Sequence, residues 1–117
     1  MFFSKDINAK IDSWEEKGNL GKIIKVAQTD DNEDVRCKAY SAMGRLRAKE
    51  SVEALLACLR TDETEKVKLA VCDALSHVAT KAEFDTIFHA ADNEPNEKIS
   101  EALKSAAVAA KERTPRW

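Results

Sequence analysis

A chain of 117 residues is long enough for one domain and too short for two, because each half could bury little core. At 44% hydrophobic and 34% charged, with only 3 Gly and 2 Pro, the composition suits continuous helices with one wet face and disfavours loop-rich β structure. The 19 basic and 21 acidic side chains leave a formal charge of −2, so no overall field draws a polyanion such as nucleic acid.

The first predicted element is a helix near 5–16. Ile7, Ile11 and Trp14 mark one of its faces, Ser4 or Asp6 caps it, and Gly18 stops it. Beyond it the chain repeats with a period of 32. Leu20, Val52 and Phe84 align, as do Ile23, Leu55 and Ile87, then Ile24, Leu56 and Phe88, then Ala27, Leu59 and Ala91, with Val26, Cys58 and Ala90 beside them. A second set aligns Val35, Val67 and Ile99, then Ala39, Val71 and Leu103, and continues through Ala42/Ala74/Ala106, Met43/Leu75/Ala107 and Leu46/Val78/Ala110.

Within each set the apolar positions step by three and four, which is one stripe of an α-helix. Each unit is therefore a helical hairpin. First helices are predicted near 19–29, 50–60 and 81–91, and second helices near 33–47, 65–79 and 96–112. Asn32, Thr64 and Asn96 are the N-caps of the second helices, each followed by a glutamate that meets the positive helix end.

The expected architecture is all-α, a right-handed α-α superhelix, or solenoid, of three hairpins in a single domain. A capping helix takes 1–17 and the repeats take 18–48, 49–80 and 81–112, with a tail at 113–117. The unpaired first helix is expected to cover the apolar face that stacked hairpins leave at the N-terminal end. The middle repeat, with neighbours on both sides, should hold the most buried residues, Leu55, Leu56, Val67, Val71 and Leu75.

The stretch Asp30-Asp31-Asn32-Glu33-Asp34-Val35-Arg36, followed by Ala39, Ala42, Met43, Gly44 and Leu46, resembles a HEAT repeat, in particular the short variety found in phycobilisome lyase subunits. The resemblance implies a ladder in which each basic side chain bonds turn groups of its own and the next repeat. Asp30 with Arg36 carries this mark fully and Asp62 with Lys68 nearly so, whereas Glu94 with Ser100 has lost the basic partner. A lost rung fits a terminal repeat.

Chemistry is sparse. Cys37, Cys58 and Cys72 have no CxxC spacing, and neither His77 nor His89 stands four residues from any of them, so no metal site and no cofactor is expected. Cys58 reads as a core residue, and Cys72 as a packed residue with a reactive thiol as the minor alternative. An odd cysteine count without a signal peptide reads as reduced thiols in the cytoplasm, and no membrane segment is expected. No serine, cysteine or aspartate joins either histidine in a triad, so the chain is not expected to be an enzyme.

The helical wheel places Tyr40, Gly44, Arg47, Cys72, Ser76, Lys104, Val108 and Lys111 on the outward side of the second helices, flanked by Arg36 and Lys68. The expected function is a scaffold or adaptor that holds a protein partner, of acidic character, on this concave face. The alternative is an accessory subunit of a lyase-like or other enzyme that presents a small-molecule ligand. Nucleic-acid binding ranks last, since the face offers few phosphate contacts and one aromatic. The oligomeric state is expected to be a monomer, or a weak self-association through the C-terminal repeat.

Overall fold

The structure, a computed structural model, describes residues 3–61 and 63–115. It contains α1 (Phe3–Lys17), α2 (Leu20–Thr29), α3 (Glu33–Leu46), α4 (Lys49–Cys58), α5 (Glu65–Val78), a 3₁₀ turn (Lys81–Glu83), α6 (Phe84–Asn93) and α7 (Glu97–Lys111). Helices α2 and α3, α4 and α5, and α6 and α7 form three stacked hairpins, and α1 packs on α2 and α3. The expected all-α stack with its N-terminal covering helix is what the chain adopts.

Local chemistry fixes the helix starts. The Asn32 side chain accepts from the amides of Asp34 and Val35 at 2.8 and 3.2 Å, Thr64 from Val67 at 3.3 Å, and Asn96 from Ile99 at 3.1 Å. One start differs from expectation. Thr80 and Glu83 form a capping box around the 3₁₀ turn, which delays the regular helix of the third repeat to Phe84. Helix α4 also ends early, at Cys58, whose carbonyl accepts from the Thr61 hydroxyl at 2.7 Å.

The two layers of the stack are packed unequally. The second helices α3, α5 and α7 lie against one another along their length, while the first helices contact each other far less. Gly44 shows why the second layer closes up: a Cβ built there would stand 2.9 Å from both Cα and Cβ of Ala74, so the helices touch backbone to backbone. The core follows the repeat columns. Ile11, Ile23, Met43, Leu55, Val67, Val71, Leu75, Ile87 and Leu103 are all buried. Leu56 is not among them; it is half-buried, because it faces a gap between α4 and α6.

Helix α5 has its last carbonyls closed from both sides. The Arg47 guanidinium donates to His77 O at 3.0 Å, and Arg113 donates to Ala79 O at 2.6 Å and Ser76 O at 3.0 Å. Two cations thus meet the negative end of one helix. Arg113, assigned to the tail in the sequence, also accepts the Lys81 amide on its carbonyl at 2.8 Å. Trp117 lies outside the described residues.

Candidate functional site

The residues expected to line one outward groove do not share a surface. Tyr40 is 3% exposed and Cys72 1%, and Gly44 is buried with them. Their stripe on each second helix points at the next repeat, not at solvent: Tyr40 reaches Cys58, Gly44 meets Ala74, and Arg47 bonds His77 O. Lys68 and Ser76 are half-buried, and the Ser76 hydroxyl turns back to Asp73 O on its own helix. Only Arg47, Lys104, Val108 and Lys111 of the set are exposed. The stacking rotation consumes the stripe in repeats 1 and 2 and frees it in repeat 3, where nothing among the described residues stacks beyond it.

One rung joins the turn of the first repeat to that of the second. Arg36 donates through Nη1 to the carbonyls of Asp30 and Asp31 at 2.9 and 3.1 Å, and through Nε and Nη2 to both carboxylate oxygens of Glu63 at 3.0 Å. Glu63 thus ties the second repeat to the first, while Asp62, the acid named with Lys68 for the second rung, lies outside the described residues. Burial pushes the Glu63 carboxyl up, but bonds from Arg36 and the Thr64 amide outweigh it and hold the group below the ordinary carboxylate value. The Arg36 guanidinium is correspondingly raised by its bond to Glu63. No ion pair is seen between Lys68 and a described carboxylate.

This rung makes an expected result. The paired Glu63 has a depressed pKa in the fold, so its stabilisation is complete above the ordinary carboxylate range and fades as pH falls through the folded value. Glu63→Gln should cost about 1.5 kcal/mol at neutral pH, the difference between a charge-assisted and a neutral bond. Urea unfolding of the two proteins should converge as the pH is lowered toward 3. A constant gap across that range would contradict the pairing.

On the outer face of the second helices the charges are matched. Lys38 pairs with Asp12 at 3.0 Å, Arg45 with Glu15 at 2.6 Å, Lys66 with Asp34, and Lys98 with Glu65 at 4.0 Å. The Arg45 bond holds the Glu15 carboxyl below its usual value and fastens α1 to α3. A shallow hollow of about 210 Å³ here includes Ser41, Asp73 and His77. There His77 Nδ1 lies 2.8 Å from the Asp73 carbonyl of its own helix and 3.3 Å from the Ser76 hydroxyl.

Burial lifts the Cys72 thiol to about 12 and raises those of Cys58 and Cys37 as well, so none is a ready thiolate. Cys72 is a packing residue at the second junction. Among the described residues no group of three or more His, Cys, Asp or Glu is placed to hold a metal, and no helix is long and apolar enough to cross a membrane.

Two surfaces remain. One is the end of the third repeat, where Phe88 is 40% and Val108 66% exposed beside Lys104 and Lys111. The other is a cleft of about 340 Å³ between α4 and α6, with Leu56, Leu59, Ala90 and Leu103 in its walls. A family model for HEAT repeats matches residues 20–107, which takes in all three hairpins up to the last turn of α7. Compared with curated proteins and with solved structures, the chain has no match in either.

Proposed function

The chain belongs to the HEAT-repeat family, whose repeats commonly serve as protein-interaction scaffolds, and from that premise we propose that it is a non-catalytic binding module that holds an acidic helix of a partner protein on the end of its third repeat. One observation carries the reading. Column by column, the exposed residues of this end stand where an earlier repeat has a buried or half-buried residue turned toward the repeat that follows. Phe88 stands where Leu56 faces repeat 3, Lys104 where Cys72 is buried, Val108 where Gly44 meets Ala74, and Lys111 where Ala79 is buried.

The occupant's chemistry follows from the same columns. At the first junction, a cation of one repeat is met by a carboxylate of the next, Arg36 by Glu63. At the last, the Ser100 hydroxyl closes on Ala91 O of its own repeat at 2.8 Å, and the exposed cations are Lys104 and Lys111, the latter 5.9 Å from the Phe84 ring. A helix with an aliphatic stripe, for Phe88 and Val108, flanked by carboxylates, for Lys104, matches this surface.

The test uses a stapled helical peptide with a Leu/Ala stripe flanked by Glu, and its Lys-flanked counterpart. The Glu peptide should bind with amide shifts centred on Phe88, Lys104 and Val108. Val108→Glu and Lys104→Glu should each weaken it about tenfold or more while melting unchanged, because both side chains are exposed. Equal binding of the two peptides, or shifts centred on Lys38 and Asp73 of the second-helix face, would overturn the proposal. So would dimerisation of the chain that Val108→Glu abolishes, since the occupant would then be a second copy.

A further inference from the structure

We propose that the cleft between α4 and α6 is a binding site for a small amphipathic anion, its apolar body against Leu56, Leu59, Ala90 and Leu103 and its charged group at Arg60. This site is separate from the end of the third repeat and does not depend on it.

The cleft exists because the two junctions are filled differently. Between repeats 1 and 2, the large ring of Tyr40 is buried, with its hydroxyl close to Cys58. Between repeats 2 and 3 the same column supplies Cys72, a side chain of a fraction of that volume. The second helices still close on one another there, so the shortfall falls between the first helices, and α4 and α6 stand apart. Protein interiors close small voids by packing, and a gap that stays open at this size is at the lower end of ordinary ligand pockets, about 300 Å³ and upward.

The lining divides by burial into floor and rim. Leu103 is buried and Leu56, Leu59 and Ala90 are half-buried, whereas Arg60, Thr86, His89 and Asn93 at the mouth are exposed. The two charges at the mouth, on Arg60 and Glu94, are engaged unequally. Glu94, the one carboxylate of the lining, spends an oxygen on the Asn96 amide at 2.9 Å, and the Asn93 side chain is spent on His89 O, also at 2.9 Å. The Arg60 guanidinium makes no hydrogen bond or ion pair with a described residue, its amide alone donating to Ala57 O at 3.1 Å. An apolar floor with one guanidinium outside any ion pair at its edge suits a ligand with an apolar body and a single anionic group.

The experiment uses 8-anilinonaphthalene-1-sulfonate and its uncharged analogue N-phenyl-1-naphthylamine with the full chain. The sulfonate should bind at one saturable site, about tenfold more tightly than the neutral analogue, with amide shifts at Leu59, Ala90 and Leu103. Arg60→Gln, at an exposed position that leaves the fold intact, should erase the preference between the two probes. Ala90→Phe should fill the cleft and abolish binding of both, and Val108→Glu should change nothing. The proposal is overturned if no saturable binding occurs, if the shifts centre on Phe88 and Val108, or if Arg60→Gln keeps the preference for the sulfonate.

Discussion

Leu75→Ala is expected to lower the unfolding free energy by about 2 to 5 kcal/mol, the range for emptying a fully buried leucine site. Leu75 is fully buried on α5, the second helix with a neighbouring second helix on each side, so neither α3 nor α7 can collapse into the vacated space without leaving its other contacts. Set against a total of about 5 to 15 kcal/mol for a domain, this is a large share. Equilibrium urea unfolding gives the number directly, and hydrogen exchange gives its location. The amides of α5 should be the slowest in the wild-type chain and the most accelerated in the variant. A loss below about 1 kcal/mol, or opening of α5 before α1 and α7, would contradict the stacking order.

Gly44→Leu should be comparably damaging for the opposite reason. A Cβ at this position already meets Ala74 at 2.9 Å through backbone as well as side chain, so a leucine can be accommodated only by prising α3 from α5. Overpacking of this kind costs about 1 to 3 kcal/mol, and leucine is to be placed at the upper end because three further carbons follow the Cβ. The helical preference of leucine over glycine offsets up to about 1 kcal/mol of it. Gly21→Leu isolates that offset. Gly21 lies on α2, exposed, with nothing within 4 Å of its Cβ, and its replacement should be neutral or slightly stabilising. If the two variants melted alike, the close approach of α3 and α5 would not exist in solution.

The hairpins and their order were readable because two independent signals share one period. Apolar columns recur every 32 residues, and so do the caps Asn32, Thr64 and Asn96, which form the predicted bonds to their first-turn amides. The capping box at Thr80 was equally open to reading, since a threonine three residues before a glutamate is its ordinary form, yet the apolar stripe overshadowed it.

The site was misread for a physical reason. The Tyr40/Cys72/Lys104 column is mixed in polarity, and a mixed column looks like a wet one. In a stack, however, each junction is packed by its own pair of surfaces, so a column may hold a ring at one junction and a thiol at the next. Only its last member, Lys104, meets solvent. Glu63 was missed because its role depends on where α4 ends and the turn begins, which the repeat pattern does not encode.

The two ends of the stack are unlike, and this sets valency. Helix α1 shows Asp6, Ala9, Lys10, Glu16 and Lys17 outward, with no large apolar side chain among them, whereas the other end shows Phe88 and Val108. Head-to-tail growth requires two complementary patches on the same molecule. Among the described side chains the α1 end shows no counterpart for the other, so each chain is expected to fill one socket on a partner. Complexes formed through this end should carry a fixed number of copies, set by how many suitable helices the partner displays, and should not lengthen with concentration.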